Sequence, residues 1–250
     1  MVATGYSRQP FIPDWPGRAG FTGSLLHSAE YREPSPYAGR SVLVVGAGNS
    51  AADIAVELLG VGAQVTLSVR TPPNIVRRDT LGVPSQVIGI ALGHLPERAK
   101  DPVVGILRRV AVPDLTRQGL PAPVDGFSQF LRSQTVPILD HGFVREIRAR
   151  RIGVVAAVAA LERDSVRLAD GSTVRPDVVI CATGYRPGLE GMVGHLGVLD
   201  GRGQPLVRGA TTLAGAARLF FVGVSVQLGG QIREIGMEAR AVAGAIQHPA

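Results

Sequence analysis

The sequence predicts an α/β fold, and three observations predict it. Ser41–Val45 is a short apolar run of the kind a parallel strand buried on both faces requires. A glycine turn and a stretch of helical periodicity follow it, with Ala51, Ile54, Ala55, Leu58 and Leu59 on one face and Asp53 and Glu57 off it. Beyond Gly60 and Gly62, residues 64–69 alternate, placing Val65, Leu67 and Val69 on one side of a second strand. Together these make one βαβ unit of about 30 residues.

The remaining elements follow along the chain. Residues 8–20 carry three prolines and two glycines and are expected to form a loop or linker. Residues 33–39 form another, with 21–31 between them. Residues 85–93 and 102–112 are expected helices, and 113–126 a Pro/Gly-rich loop. Asp140 is placed to cap a short helix running through Arg148, ahead of an apolar stretch at 152–161. Residues 165–168 and 173–175 flank Asp170-Gly171 and predict a hairpin. Residues 177–182 make another buried strand ending in Thr183-Gly184, and 219–222 a last one. A loop with Gly223, Gly229 and Gly230 then leads into a helix over 231–246, where Ile232, Ile235, Ala239, Val242 and Ile246 fall at helical spacing. Residues 1–5, Met-Val-Ala-Thr-Gly, have the character of the end of a buried strand.

Composition narrows the function classes. The chain has 250 residues, 45% hydrophobic and 18% charged, enough for one large or two modest domains. Cys181 is its only cysteine, so a disulfide scaffold and an internal CxxC pair are excluded. The longest apolar runs fall well short of the ~20 residues of a membrane span. No cationic start with an apolar core marks a secretory signal, so a cytoplasmic location is expected. The net charge of +6 and pI near 10.4 do not point to nucleic acid, because the basic residues are dispersed and not interleaved with aromatics. Nearly all of them are arginine, Lys100 being the one lysine.

The chemistry-bearing motif is Val42-Leu-Val-Val-Gly46-Ala-Gly48-Asn49-Ser50-Ala51, a GxGxxA string between a strand and a helix. Gly46 permits a tight turn, Gly48 leaves room for a pyrophosphate against the backbone, and Ala51 lets helix and strand pack closely. The helix N-terminus offers free N–H groups and positive potential to phosphate oxygens. At the end of the second strand an NAD site usually carries a carboxylate for the ribose hydroxyls. Here Arg70 and Thr71 stand there, a guanidinium and a hydroxyl suited to a 2′-phosphate, which favours NADPH. A rival from another class treats residues 48–52 as a degenerate nucleophile elbow around Ser50, with Asp177 and His248 as partners by chain order alone. The five histidines lack zinc-ligand spacing, and no metal site is expected.

Further motifs carry a family resemblance. Phe21-Thr-Gly23-Ser-Leu-Leu-His27-Ser-Ala-Glu-Tyr31 matches the FxGxxxHxxx(F/Y) string of class B flavoprotein monooxygenases, ahead of the glycine turn as in that family. Ala182-Thr183-Gly184 resembles the family's ATG segment, and Ala3-Thr4-Gly5 an earlier copy. Residues 75–82, Leu120-Pro121 and 135–142 (TVPILDHG) are similar to the YUCCA-like branch of the flavin-containing monooxygenases.

The resemblance implies an enzyme that uses NADPH, FAD and O2, placing one oxygen atom in a small organic substrate through a C4a-(hydro)peroxyflavin. It implies a Rossmann-like NADPH-binding domain with parts of a second, incomplete FAD-binding Rossmann-like domain. The expected division is 1–38 as flavin-domain remnant and linker, 39–182 as the NADPH domain, and 183–250 as the return to the flavin domain. Gly46, Gly48, Asn49, Ser50, Ala51, Arg70 and Thr71 would hold NADPH. Ala182, Thr183 and Gly184 would lie at the domain junction, and Gly223 and Gly230 near the flavin. His27 would order the linker, and no protein nucleophile is expected. A GxGxxG string for FAD is missing before Met1, so the chain is expected to be truncated and to bind FAD poorly alone. The alternatives are a stand-alone NADP-binding module and one subunit of a split flavoprotein; a homo-oligomer is a further possibility.

Overall fold

The computed structural model describes residues 1–77, 79–80, 83–84, 114–121, 137–224 and 231–247. These fall into two compact units, one within 11–184 and the other formed by 1–10 with the described residues of 185–247. The expected helices at 85–93 and 102–112 lie outside the described residues. Of the expected loop at 113–126, residues 114–121 are described and hold a single 3-10 turn, Thr116–Gln118.

The larger unit is built on five parallel strands: β1 (Ser24–His27), β2 (Ser41–Val45), β3 (Gln64–Ser68), β4 (Ile152–Val155) and β5 (Val178–Cys181). Their order across the sheet is β1-β5-β2-β3-β4. β2 and β5 lie at the centre, and apart from Ser41 every residue in them is buried. That explains their unbroken apolar runs, since a parallel strand covered on both faces has no polar side to show.

Alternate residues of the central strands face two different cores. Val42, Val44, Val178 and Ile180 pack with α1 (Asn49–Gly60) and α2 (Phe143–Arg148), meeting Ala51, Ile54, Ala55, Leu58, Phe143 and Ile147. Leu43, Val45, Val179 and Cys181 face the other way, onto Leu161, Val166 and Leu168. Each fully buried Leu, Ile or Phe contributes roughly 1.5–3 kcal/mol. Leu161, Val166 and Leu168 come from a three-stranded antiparallel layer, Val158–Leu161, Val166–Leu168 and Thr173–Val174. The apolar stretch at 152–161 is therefore two strands, β4 in the parallel sheet and the next in this layer. The expected hairpin forms at Asp170-Gly171, where Asp170 Oδ1 accepts from Ser172 N–H and Gly171 has φ of 84°.

Residues 11–38 belong with this unit and not with residues 1–10. Pro16 O accepts from Leu161 N–H at 2.9 Å, and Arg163 O accepts from Thr22 N–H at 2.8 Å. Trp15 and Phe21 pack on the antiparallel layer. β1 then adds to the sheet beside β5, so the expected linker is pinned over most of its length.

In the smaller unit, Val2 bridges Phe221 in parallel, with Val2 N–H donating to Phe220 O and Val222 N–H to Val2 O. The strand-like character of both segments is thus realised as one bridge rather than a run. α3 (Gln231–Gln247) covers the expected 231–246. Its Val242 is buried against Phe220 and Val222, with Ile235 and Ala245 alongside. Ile232 is 89% exposed and Ile246 53%, so the apolar spacing does not form one buried face among the described residues.

Candidate dinucleotide site

The site forms at the C-terminal edge of the parallel sheet, where the turn after β2 meets the end of β5. Gly46 has φ of 124°, and its N–H donates to Ser68 O at 3.0 Å. A Cβ on Gly46 would stand 2.3 Å from Ala182 O. Glycine is required here twice, by the positive φ and by the close approach of β5's continuation. Ala182 N–H in turn donates to Val45 O, tying the two strand ends together.

Gly48 differs. A Cβ there would meet nothing within 4 Å, and the residue is the N-cap of α1 with no side-chain cap. The first ladder bond of the helix runs from Ala52 N–H to Gly48 O. The N–H groups of residues 49–51 therefore lack acceptors within the helix, at an end with no side-chain cap. That end provides directed donors and the positive pole of the helix dipole, the properties an anion needs. Ser50 is exposed there, and Ala51 is buried against the sheet, as close helix–strand packing demands.

Asn49 is used otherwise than as a ligand. Its Nδ2 donates to Pro137 O at 2.9 Å, and its Oδ1 accepts from Leu139 N–H at 2.8 Å. Its side chain is committed to protein backbone, so only its N–H remains for the helix end. Nothing local in the sequence announces this contact.

Arg70 and Thr71 follow β3 and are both exposed. Ser68 is buried and donates through Oγ to Ala156 O, while Val69 N–H donates to Val155 O. The strand end is thereby fixed just before the chain turns out to Arg70.

Ala182, Thr183 and Gly184 leave β5 beside the turn. Thr183 Oγ1 donates to Phe11 O, and Gly184 O accepts from Phe11 N–H. His27, 1% exposed, accepts at Nδ1 from Ala29 N–H. The proton therefore sits on Nε2, which donates to Gly184 O at 3.0 Å. His27 thereby ties the end of β1 to the segment after β5. Ser50, Asp177 and His248 do not assemble a triad in the described residues. Asp177 Oδ2 accepts from Ser41 N–H at 2.8 Å at the far end of β2, and His248 lies outside the described residues. Cys181 is fully buried in β5, and desolvation pushes its thiol up to about 12. No group of side chains suited to a metal occurs among the described residues.

In the smaller unit Gly223 N–H donates to Glu238 Oε2 at 2.8 Å, and a Cβ there would lie 3.0 Å from Ile235. Its donor is already taken within the protein. Gly230 lies outside the described residues.

The comparisons with known proteins agree with this architecture. The family model described as FMO-like, flavin-binding monooxygenase-like, matches residues 1–190. The chain belongs to that family. Among its relatives, the indole-3-pyruvate monooxygenases YUCCA4 and YUCCA1 of Oryza sativa subsp. japonica are 35% and 34% identical over 74% of this chain. These matches cover 43% and 46% of the relatives, so the chain spans about half the length of the curated relatives it matches. A flavin-containing monooxygenase from Stenotrophomonas maltophilia superposes with a TM-score of 0.61 at 26% identity, covering 97% of this chain and 61% of that one. Cyclohexanone monooxygenase from Rhodococcus sp. Phi1, solved with NADP+, superposes with a TM-score of 0.62 at 17% identity over 98% of this chain and 60% of its own. At that identity the likeness establishes the Rossmann-like fold alone. No described helix of this flavin-binding monooxygenase-like chain is long and apolar enough to cross a membrane.

Proposed function

We infer that the larger unit binds NADPH and serves a flavin-dependent monooxygenase acting with O2 on a small organic substrate. The observation that carries this reading is the uncapped end of α1 beside Gly48, whose missing side chain opens onto free space. The N–H groups of residues 49–51 would receive the pyrophosphate, Gly46 would keep the turn tight against Ala182, and Arg70 with Thr71 would take the 2′-phosphate. Bound NADPH supplies a hydride. The protein's part is to orient the nucleotide and fix its position against the β5 end through His27, Thr183 and Gly184. The NADP+ in the cyclohexanone monooxygenase is a property of that protein and supports the reading by shared fold.

The flavin is a different case. In the smaller unit Gly223 is bonded to Glu238 and packed on Ile235, and Gly230 before α3 lies outside the described residues. We derive no step through FAD. A second reading is an NADP-binding module completed by another polypeptide segment, supported by the chain's span of about half the length of its curated relatives.

Purified chain titrated with NADPH and NADH tests the first reading. Selective NADPH binding supports it, and equal binding of both removes the 2′-phosphate assignment. Flavin absorbance with NADPH-dependent oxygen uptake separates the enzyme from the module, which would be colourless.

A further inference from the structure

Asn49 does something the glycine turn does not require. A dinucleotide turn needs a backbone N–H at that position, not a carboxamide. Both ends of this carboxamide grip one strand, Nδ2 on Pro137 O and Oδ1 on Leu139 N–H. The pattern is that of a peptide group in a β-ladder. Aspartate offers the acceptor without the donor, and alanine offers neither.

The gripped strand, Ile138–Asp140, pairs in parallel with Ile75–Arg77, and Ile138 N–H donates to Asn74 O at 2.8 Å. Between that pair and Arg70 lie only Thr71, Pro72, Pro73 and Asn74. Consecutive prolines fix φ and give a stiff spacer instead of a slack loop. A continuous path of hydrogen bonds and stiff backbone therefore joins the amino end of α1 to the segment carrying Arg70.

We propose that Asn49 is a positioning residue. Through the 137–139 backbone and the Ile75–Arg77 strand it sets where Arg70 and Thr71 stand relative to the pyrophosphate-binding helix end, and so tunes selection for the 2′-phosphate. The proposal rests on the NADPH reading given above.

The test measures dissociation constants of NADPH and NADH for the full 250-residue chain and for Asn49→Ala, Asn49→Asp and Arg70→Ala. Loss of the grip is expected to weaken NADPH about tenfold more than NADH, the scale of one to two hydrogen bonds. Asn49→Asp keeps the shape and one acceptor, so it answers the question even where Asn49→Ala does not fold. Its added charge also repels the 2′-phosphate, so the ratio is read at high ionic strength, where salt screens that repulsion. A second readout is hydrogen exchange at the Leu139 amide in nucleotide-free protein, which is expected to quicken in Asn49→Ala, where the acceptor is gone, and to stay slow in Asn49→Asp, where it is kept. An unchanged ratio in both Asn49 variants, with Arg70→Ala collapsing it, overturns the proposal and leaves the NADPH reading intact. An unchanged ratio in Arg70→Ala overturns the reading and the proposal with it.

Discussion

Two glycines two residues apart in the same turn do different work. Gly46 is enclosed, with φ of 124° and Ala182 O where a Cβ would go, whereas Gly48 faces open space. Gly46→Ala is expected to cost at least ~2 kcal/mol of stability through strain and clash, read as a lower denaturant midpoint. Gly48→Val is expected to leave stability within about 1 kcal/mol while abolishing NADPH binding, because its side chain would fill the space left for a pyrophosphate. Reversed effects would mean that the roles of the two positions are exchanged. Both glycines, and a different reason for each, were legible in the motif, but the approach of Ala182 O to Gly46 was not, because Ala182 stands far along the chain. Cys181 is a residue-scale case of burial governing chemistry. With its thiol pushed up to about 12 and no exposure, it is expected to resist aromatic disulfide reagents until the chain unfolds. The pH consequence follows with its sign. The unfolded thiol ionises near its ordinary value of 9.0 while the folded one stays protonated to about 12. Cys181 therefore subtracts stability as pH rises through that window, by up to about 1.4 kcal/mol per unit. Urea titrations of wild type and Cys181→Ala across pH 8 to about 10 check this, the variant showing the shallower decline.

At the scale of elements, periodicity identified what local pattern can specify. β2, α1 and β3 follow from apolar runs, helical spacing and glycine stops, and the structure places them within two residues of expectation. Asp140 was also legible as a cap. Its Oδ1 accepts from Gly142 N–H at 3.0 Å and Val144 N–H at 3.1 Å, at the start of α2. Asp140→Ala is expected to lose about 1 kcal/mol, measurable as a shift in urea midpoint without loss of the sheet's circular dichroism. β1 was hidden because Ser24–His27 is a half-buried edge strand of four residues, defined by pairing with β5 rather than by its own alternation. The 8–20 segment has the composition of a linker, yet its backbone bonds to Leu161, and only the long-range partner reveals it. His27 illustrates both limits. Its string was recognisable, but its tautomer and its bond to Gly184 O required coordinates.

At the scale of the molecule, the larger unit is a parallel sheet with helices on one face and an antiparallel layer on the other, and the proposed nucleotide site lies at its C-terminal edge. The smaller unit joins residues 1–10 to the described residues of 185–247 through the bridge at Val2 and Phe221 and the antiparallel pairing of Gln9–Pro10 with Tyr185–Arg186. The chain spans about half of its curated relatives, and the proposed nucleotide site rests on the opening at Gly48. Of the dispersed basic residues, one carries a proposed contact, Arg70 with a phosphate. The most direct test of that contact is a titration of wild type and Arg70→Ala with NADPH and NADH. The account predicts that Arg70→Ala weakens NADPH by roughly 10–100-fold, as loss of a charge-assisted pair should, and leaves NADH nearly unchanged. An equal change for both nucleotides would contradict it.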